Sequence, residues 1–223
     1  MSTHKDALDT ARAAHSIADA DKPQHGGCAK VRVKDRIFDT ACDLFYKHGI
    51  RDVGVDLIAT EAGTNKMSFY RSFASKDELV AEYLEQKSRE FWVWWDAIVA
   101  GHPGDARAQI QALFDAYVTS TCFADSRGCA FANASVEIAD EAHPARQVAI
   151  KQKTEMRQRL RDLAARAGAT EADELGDALM LLMEGGYLTR RTFAPGDGPL
   201  QNAAATARML LRAYAPTTSP PNA

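Results

Sequence analysis

The chain has 223 residues, a formal net charge of −3 and four cysteines. This length allows a buried core that needs no disulfide bonds, and the cysteines form neither a CxxC pair nor a zinc-site spacing with histidine. The most apolar run, Phe91 to Ala100, is shorter than a membrane span and is interrupted by Asp96. These features exclude a disulfide-stabilised scaffold, a zinc finger and a membrane protein.

Residues 1–29 are rich in Ala, Asp, His and Gly and contain few large apolar side chains. This composition predicts a flexible tail rather than a packed element. The first ten residues, MSTHKDALDT, are polar where a signal peptide would be apolar, so we expect no export signal. Together with the cysteine pattern, this predicts a reduced cytoplasmic protein.

Positive charge is concentrated in one segment of the chain. Residues 30–76 carry nine Lys and Arg against six Asp and Glu, a net charge of +3, which leaves 18 against 24, or −6, for the rest. A locally basic segment on an acidic protein favours an anionic partner such as nucleic acid. The difference is small enough to arise by chance, so it does not decide the function alone.

Helical periodicity and stop signals predict four helices in the first hundred residues. Apolar residues recur at helical spacing from Val33, and Gly49 ends that helix. A second helix covers residues 55–62 and ends at Gly63, and Asn65 caps a short third helix that runs to Phe73. The sequence SKDE, residues 75–78, is a capping box that begins a long fourth helix towards residue 100.

The remaining sequence also predicts helices only. Their expected bounds are Ala106 to Phe123, Phe131 to Glu141, Pro144 to Gly168, Thr170 to Thr192 and Pro199 to Tyr214. No alternating run typical of a β-strand is longer than a few residues. The fold class is therefore predicted to be all-α.

The second and third helices, joined by Gly63, Thr64 and Asn65, have the pattern of a helix-turn-helix. Phe69 and Phe73 lie four residues apart and would pack inward, which leaves polar side chains on the other faces. An ordinary helical corner with a solvated polar side fits the same spacing. Both readings stay open on the pattern alone.

The segments ACDLFYKHGI and VDLIATEAGTNKMSFYRSFASKDELV resemble the N-terminal DNA-binding domain of the TetR family of bacterial transcriptional regulators. The resemblance covers about 50 residues, Val33 to Leu84. It implies a three-helix DNA-binding domain over residues 30–78 and a helical effector-binding and dimerisation domain over 79–215. It also implies a homodimer through the last two long helices, a double-stranded DNA operator, and a small-molecule effector that releases a repressor. The last residues, 216–223, are rich in Thr and Pro and are expected to be disordered.

The resemblance further implies which residues contact DNA. Asn65, Lys66, Met67 and Arg71 match positions at or beside base edges, whereas Ser68, Tyr70 and Lys76 match positions that touch phosphate, as their donors allow. Tyr70 could instead be a packing aromatic, and Arg71 could be only solvated. The complete predicted DNA-contacting set is Thr64, Asn65, Lys66, Met67, Ser68, Tyr70, Arg71 and Lys76.

Two positions depart from the family pattern. Gly54 stands where Ser or Thr commonly caps the second helix, a change that costs only a few tenths of a kcal/mol. Met67 stands where a small residue is common, which makes it a candidate for an apolar contact with a thymine methyl group.

The C-terminal half offers weaker signals. Stripes of apolar and small residues favour a dimer interface, with packing within one chain as the alternative; they comprise Leu175, Leu179, Met183 and Gly186, and Leu200, Ala203, Ala207, Leu210, Leu211 and Tyr214. Aromatic and polar residues could form the effector pocket, or be plain core. These candidates are Trp92, Trp95, Phe114, Tyr117, Phe131, Asn133, Glu137, Met183 and Tyr187.

Redox and metal sites are weighed and disfavoured. Cys122 and Cys129 could form a redox pair, but buried cysteine is commonly a small apolar residue. Glu137, Glu141 and His143 are metal-binding residue types, yet Pro144 places His143 at a helix boundary, so we expect no metal and no cofactor.

The reading favoured by the sequence is a dimeric, ligand-released repressor and not an enzyme. An activator, or a regulator without an effector, is the first alternative. A helical enzyme or binding module is the second, although no nucleophile–base motif or glycine-rich phosphate loop favours it.

Overall fold

A computed structural model describes residues 32–119, 128–190, 192–194 and 196–216. Within these ranges the chain is helical and contains no strand, as predicted. The helices are α1 (Val33–His48), α2 (Val55–Glu61), α3 (Lys66–Ser72), α4 (Lys76–Ala100), α5 (Ala106–Thr119), α6 (Ala130–Glu137), α7 (Pro144–Arg166), α8 (Ala172–Thr189) and α9 (Ala203–Tyr214), with a 3-10 turn at Pro199–Asn202 before α9.

The predicted limits of the first four helices are confirmed to within about one residue. The capping box is confirmed with a small shift. Ser75 Oγ accepts a hydrogen bond from the backbone N–H of Glu78 at 3.0 Å, and the Glu78 carboxylate accepts from the N–H of Ala74 at 2.9 Å. In a standard capping box the glutamate accepts from the N–H of the N-cap residue itself, whereas here it accepts from Ala74, the residue before the N-cap.

Helix α6 is shorter than predicted, because it ends at Glu137 and not at Glu141. Ile138 is extended, with φ −105° and ψ 104°, and the carboxylate of Asp140 accepts from the N–H of Ala142 to form a turn. The Arg146 guanidinium donates to the carbonyl oxygens of Ser135 and Ile138, which satisfies the free end of the helix. The sequence pattern did not predict this helix end, because the end depends on Arg146 of α7.

Other predicted bounds also differ from the structure: α7 ends at Arg166 and not at Gly168, and α8 begins at Ala172 and not at Thr170. Helix α8 ends at Thr189, three residues before the predicted end, and the last helix begins as a 3-10 turn. The predicted end of α5 at Phe123 lies outside the described residues, as do the predicted N-terminal tail and nearly all of the predicted C-terminal end.

The described residues form two compact units. The first unit contains residues 32–91 and 128–153, and the second contains residues 92–119, 154–190, 192–194 and 196–216. This division does not coincide with the predicted domain boundary after residue 78. The reason is that α6 and the start of α7 pack in the same unit as α1 to α3.

The core of the first unit is aromatic and aliphatic. Ile37, Ile58 and Phe69 are fully buried. The rings of Phe69 and Phe73 lie 5.9 Å apart, and the ring of Phe38 lies 6.5 Å from that of Phe73. Burying a side chain of this size contributes about 1.5–3 kcal/mol, so these rings dominate the packing of α3 on α1 and α2.

Side chains from α6 and α7 attach to the N-terminal helices by hydrogen bonds. The Glu137 carboxylate accepts from the backbone N–H groups of Ile50, at 2.6 Å, and Arg51, at 3.0 Å. His143 Nδ1 accepts from the N–H of Ala145, and its Nε2 lies 3.2 Å from a carboxylate oxygen of Asp77. The loop before α2 and the start of α4 are therefore both held by residues 137–145.

The second unit packs α5, α8 and α9 together. The buried hydroxyl of Tyr117 donates to the carbonyl oxygen of Met183 at 2.8 Å. Asp177 on α8 accepts bidentate hydrogen bonds from Arg157 and Arg161 on α7, and these bonds hold the pKa of its carboxyl well below the usual range.

The apolar stripe predicted for the dimer interface lies mostly inside this unit. These side chains are already covered within one chain, because α5 packs against α9 and α9 against α8. The prediction that they form an intersubunit surface is therefore wrong for the buried members, which are Leu175, Leu179, Met183, Gly186, Leu200, Ala203, Ala207 and Leu211.

Gly176 marks the closest approach of α8 to α7. A Cβ atom at this position would lie 2.7 Å from the Arg161 Cα and 2.8 Å from its backbone nitrogen. We therefore expect Gly176→Ala to push the helices apart and to lower the free energy of unfolding by about 1–3 kcal/mol, the usual cost of overpacking. Urea denaturation measures the difference.

Glu174→Ala on the same helix is the control, since the Glu174 side chain is exposed. Substitution of an exposed side chain usually changes stability by less than about 0.5 kcal/mol, so this variant should be close to neutral. Equal destabilisation of both variants would contradict the assignment of the α7–α8 contact to Gly176.

Candidate nucleic-acid interface

Helix α3 has only seven residues and is held by its neighbours. Isolated helices of this length are not stable in water. Phe69 is fully buried and Phe73 nearly so, whereas Met67, Tyr70 and Arg71 are exposed. The helix therefore presents one face to the core and the opposite face to solvent.

The turn before α3 is closed by backbone hydrogen bonds. The N–H of Gly63 donates to the Thr60 carbonyl, and the N–H of Thr64 donates to the Ala59 carbonyl at 2.9 Å. Gly63 has φ +62°, a conformation that side chains with a Cβ rarely adopt. A guanidinium nitrogen of Arg36 on α1 lies 3.4 Å from the Gly63 carbonyl, so α1 contacts the turn directly.

Polar contacts fix the N-terminal end of α3. The side-chain oxygen of Asn65 accepts from the N–H of Ser68 at 2.9 Å, which confirms Asn65 as the helix cap. The Lys66 ammonium lies 3.1 Å from both carboxylate oxygens of Asp56 on α2. The Ser68 carbonyl accepts from the Ser72 hydroxyl.

The exposed aromatic residue of α3 is also packed. The ring of Tyr70 meets that of Phe69 edge to face, with centroids 5.4 Å apart. The two readings of Tyr70, packing aromatic and phosphate contact, are therefore compatible. Its ring is held against the core residue while the side chain as a whole stays exposed.

Lys76 is the first residue of α4 and follows α3 closely in the chain. Its side chain is half-buried. Burial lowers the pKa of its ammonium, and the carboxylates of Asp77, Glu137 and Asp52 act in the opposite direction. The charge of Lys76 thus sits among acidic groups, unlike that of the exposed Arg71.

The predicted effector residues fall into two groups. Trp92, Trp95, Phe114, Tyr117, Met183 and Tyr187 belong to the second unit, and Phe131, Asn133 and Glu137 to the first. Within the second unit, the rings of Trp92 and Trp95 lie 5.7 Å apart and those of Tyr117 and Tyr187 5.0 Å apart. The predicted set is thus divided between the two units.

Asn133 and Glu137 line a small recess of the first unit, together with Phe45, Tyr46, Ile50, Tyr83 and Ala130. The Glu137 carboxylate is engaged there by two backbone N–H groups, as described above. Its predicted role in orienting an effector would have to compete with these bonds.

The disfavoured redox and metal sites gain no support from the described part of the chain. Cys129 is buried, and its sulfur lies 3.2 Å from the Lys153 ammonium, while Cys122 lies outside the described ranges. Within those ranges, no cluster of three or more His, Cys, Asp or Glu could hold a metal ion. Both ring nitrogens of His143 have protein partners.

Sequence reasoning did not single out Asp56 or Arg36, which both contact the helix-turn-helix. For Asp56, the signal available in the sequence was a negative charge within a segment of net positive charge. No spacing rule links Arg36 to Gly63, because 27 residues separate them.

Comparison with known proteins agrees with this geometry. Residues 37–83 match the family model described as bacterial regulatory proteins, tetR family. The HTH-type transcriptional repressor SCO4008 of Streptomyces coelicolor is 37% identical over 82 residues, which cover 37% of this chain and 41% of that protein. The chain thus matches about two fifths of the length of this relative.

Solved structures extend the similarity beyond the DNA-binding segment. SCO4454, a TetR-family transcriptional regulator from Streptomyces coelicolor, superposes with a TM-score of 0.75 at 29% identity, covering 82% of this chain and 96% of that one. A putative tetR transcriptional regulator, sav143 from Streptomyces avermitilis, gives a TM-score of 0.63 at 27% identity, covering 82% and 98%. No helix in the described ranges is long and apolar enough to cross a membrane.

The helix-turn-helix geometry of residues 55–72, the family model over 37–83 and the shared fold of the longer region lead to one assignment: residues 37–83 form a DNA-binding domain of the type found in the tetR family of bacterial regulatory proteins, and the chain shares the fold of regulators of that family.

Proposed function

We propose that this protein is a transcriptional repressor that binds a palindromic operator in double-stranded DNA as a homodimer and is released by a small-molecule effector. The observation that carries the DNA-binding part is α3, whose inner face is buried and whose outer face exposes Met67, Tyr70 and Arg71. A helix fixed in this way can enter the major groove without losing its own order. Such a regulator would act in the cytoplasm.

The exposed residues of α3 suit different contacts. Arg71 can donate two hydrogen bonds to a guanine edge, and the Met67 side chain can contact a thymine methyl group. The hydroxyl groups of Ser68 and Tyr70 and the ammonium of Lys76 can donate to phosphate oxygens. Thr64 and Asn65 stand at the turn, where Asn65 also caps the helix.

The DNA-binding proposal is tested by selecting duplexes from a random library with the purified protein. We expect an inverted repeat with half-sites about one helical turn apart, because a two-fold dimer presents two recognition helices. On that operator, Arg71→Ala should weaken binding by about 1–3 kcal/mol and relax the preference at one base position.

Lys76→Ala is the matched control, since it removes a positive charge from the neighbouring helix. It should weaken binding to all sequences alike and reduce the salt dependence by about one unit. Failure to select any inverted repeat at low salt would overturn the DNA-binding proposal, and an unchanged base preference in both variants would overturn the role given to Arg71.

Exposed apolar residues on α8 support the dimer. Leu181 and Leu188 are 72% and 71% exposed and, with the exposed Gly185, lie on one face at i, i+4 and i+7. Met209 on α9 is 67% exposed. A small residue between two large ones lets a second helix approach closely, so we place the two-fold contact on this face of α8 and on α9.

Leu181→Glu and Leu188→Glu should each shift the protein towards monomer, because the charge would be buried in the interface. Sedimentation velocity measures the shift, and operator affinity should fall with it. Val136→Glu on α6, where the side chain is 85% exposed, controls for added surface charge. A dimer that survives both leucine substitutions would rule out this face as the interface.

The aromatic interior of the second unit supports an effector of small size and apolar character. All three tryptophans of the chain, Trp92, Trp94 and Trp95, belong to this unit, so binding there should change tryptophan fluorescence. Coupling between two sites is reciprocal. The factor by which effector lowers operator affinity, about 5 to 150, should equal the factor by which operator lowers effector affinity.

A metabolite screen by fluorescence, followed by calorimetry with and without operator, measures both factors. Arg71→Ala serves as the control, because it should weaken operator binding and leave effector binding intact. Ligands that change fluorescence and never change operator affinity would rule out effector release.

A further inference from the structure

Asp56 is an exposed carboxylate beside the helix that we propose enters the major groove. Both of its oxygens lie 3.1 Å from the Lys66 ammonium, and the side chains are 77% and 55% exposed. Lys66 is the first residue of α3, and N-terminal residues of a recognition helix contact base edges. The ion pair therefore lies at the proposed interface itself.

A negative charge at this position opposes DNA binding. Double-stranded DNA carries one negative charge per about 1.7 Å of helix axis, so a carboxylate facing it raises the free energy of every complex. The ion pair also contributes little to folding, since exposed pairs are weak and screened by water. The other contribution of Asp56 to stability is the modest one of an acidic residue in the first turn of α2, which does not require Lys66 as a partner.

The pair changes what Lys66 can do. A lysine without an acidic partner is a mobile point charge that can contact any phosphate, whatever the DNA sequence. An ammonium has three N–H donors, so one held by two carboxylate oxygens keeps at least one donor for another acceptor. The Asp56 carboxylate both restrains the position of that donor and offsets the charge that phosphates would attract.

We propose that Asp56 is a specificity-determining residue of the DNA interface. It positions the Lys66 ammonium at the start of α3, so that Lys66 contacts the bases of the operator and contributes little to binding DNA of other sequence. This inference rests on the proposed DNA-binding function and adds a residue that discriminates between operator and non-operator DNA.

The test compares Asp56→Asn with Glu61→Gln, which removes a negative charge from the exposed last residue of the same helix. Affinity is measured for the selected operator and for a scrambled duplex of equal length and composition, at several salt concentrations. Asp56→Asn should raise affinity for the scrambled duplex about threefold to fivefold, the size of an exposed ion pair. Its salt dependence should steepen by about one unit as Lys66 reaches phosphate.

Operator affinity should change less in Asp56→Asn, so the ratio of operator to scrambled affinity falls. Glu61→Gln should change both affinities by the same factor and leave this ratio intact. Equal ratios in the two variants would overturn the proposal, because Asp56 would then act only through net charge.

Lys66→Met gives a test that does not depend on any Asp56 variant. It should lower operator affinity more than affinity for the scrambled duplex. Adding Asp56→Asn to it should then raise both affinities by the same factor, because only the charge of Asp56 remains to act. A larger gain on the scrambled duplex than on the operator in the double variant would overturn the proposal.

Two other outcomes are distinguishable. Loss of preference at one C·G pair in Asp56→Asn, independent of Lys66, would mean that the carboxylate itself accepts from the cytosine amino group, which replaces the proposed role. A wild-type protein that selects no operator at all would overturn the proposed function, and this inference with it.

Discussion

Burial of Phe69 is the interaction on which the DNA-binding unit depends. A seven-residue helix has no stability of its own, so α3 exists because this ring is enclosed by α1, α2 and its own neighbours. The same ring contacts Tyr70 and Phe73. One buried side chain therefore both forms the short helix and fixes the direction of an exposed residue beside it.

The first unit is also held together across large distances in sequence. Glu137 binds the backbone of Ile50 and Arg51, and His143 binds Asp77 at the start of α4. These bonds satisfy backbone and carboxylate groups that would otherwise depend on water. Residues 128–153 thus belong physically with the helix-turn-helix, although they follow α4 and α5 in the chain.

Local signals explain why the N-terminal helices could be predicted. The caps at Asn65 and Ser75, the glycine at 63 and the apolar spacing of α1 each depend on neighbouring residues alone. The end of α6 could not be predicted in this way, because it depends on Arg146 of the following helix. The Asp56–Lys66 pair was missed for the same reason, since it joins two helices across ten residues.

The C-terminal half shows a different limit of sequence reasoning. Helical spacing identified an apolar face containing Leu179 and Met183, but spacing cannot tell whether α5 of the same chain or a second copy covers it. The structure assigns that face to the interior. Leu181 and Leu188 are exposed on another face of α8. A search that expects polar residues at exposed positions does not identify them.

The two-sided construction of α3 has a consequence for how such a protein can evolve. Exposed side chains away from packing contacts usually change folding stability by less than about 0.5 kcal/mol when substituted. Met67 and Arg71 are of this kind, so new DNA preferences can arise there with little loss of stability. Tyr70 differs from them because its ring packs against that of Phe69. A substitution of Tyr70 would therefore alter both DNA recognition and folding stability.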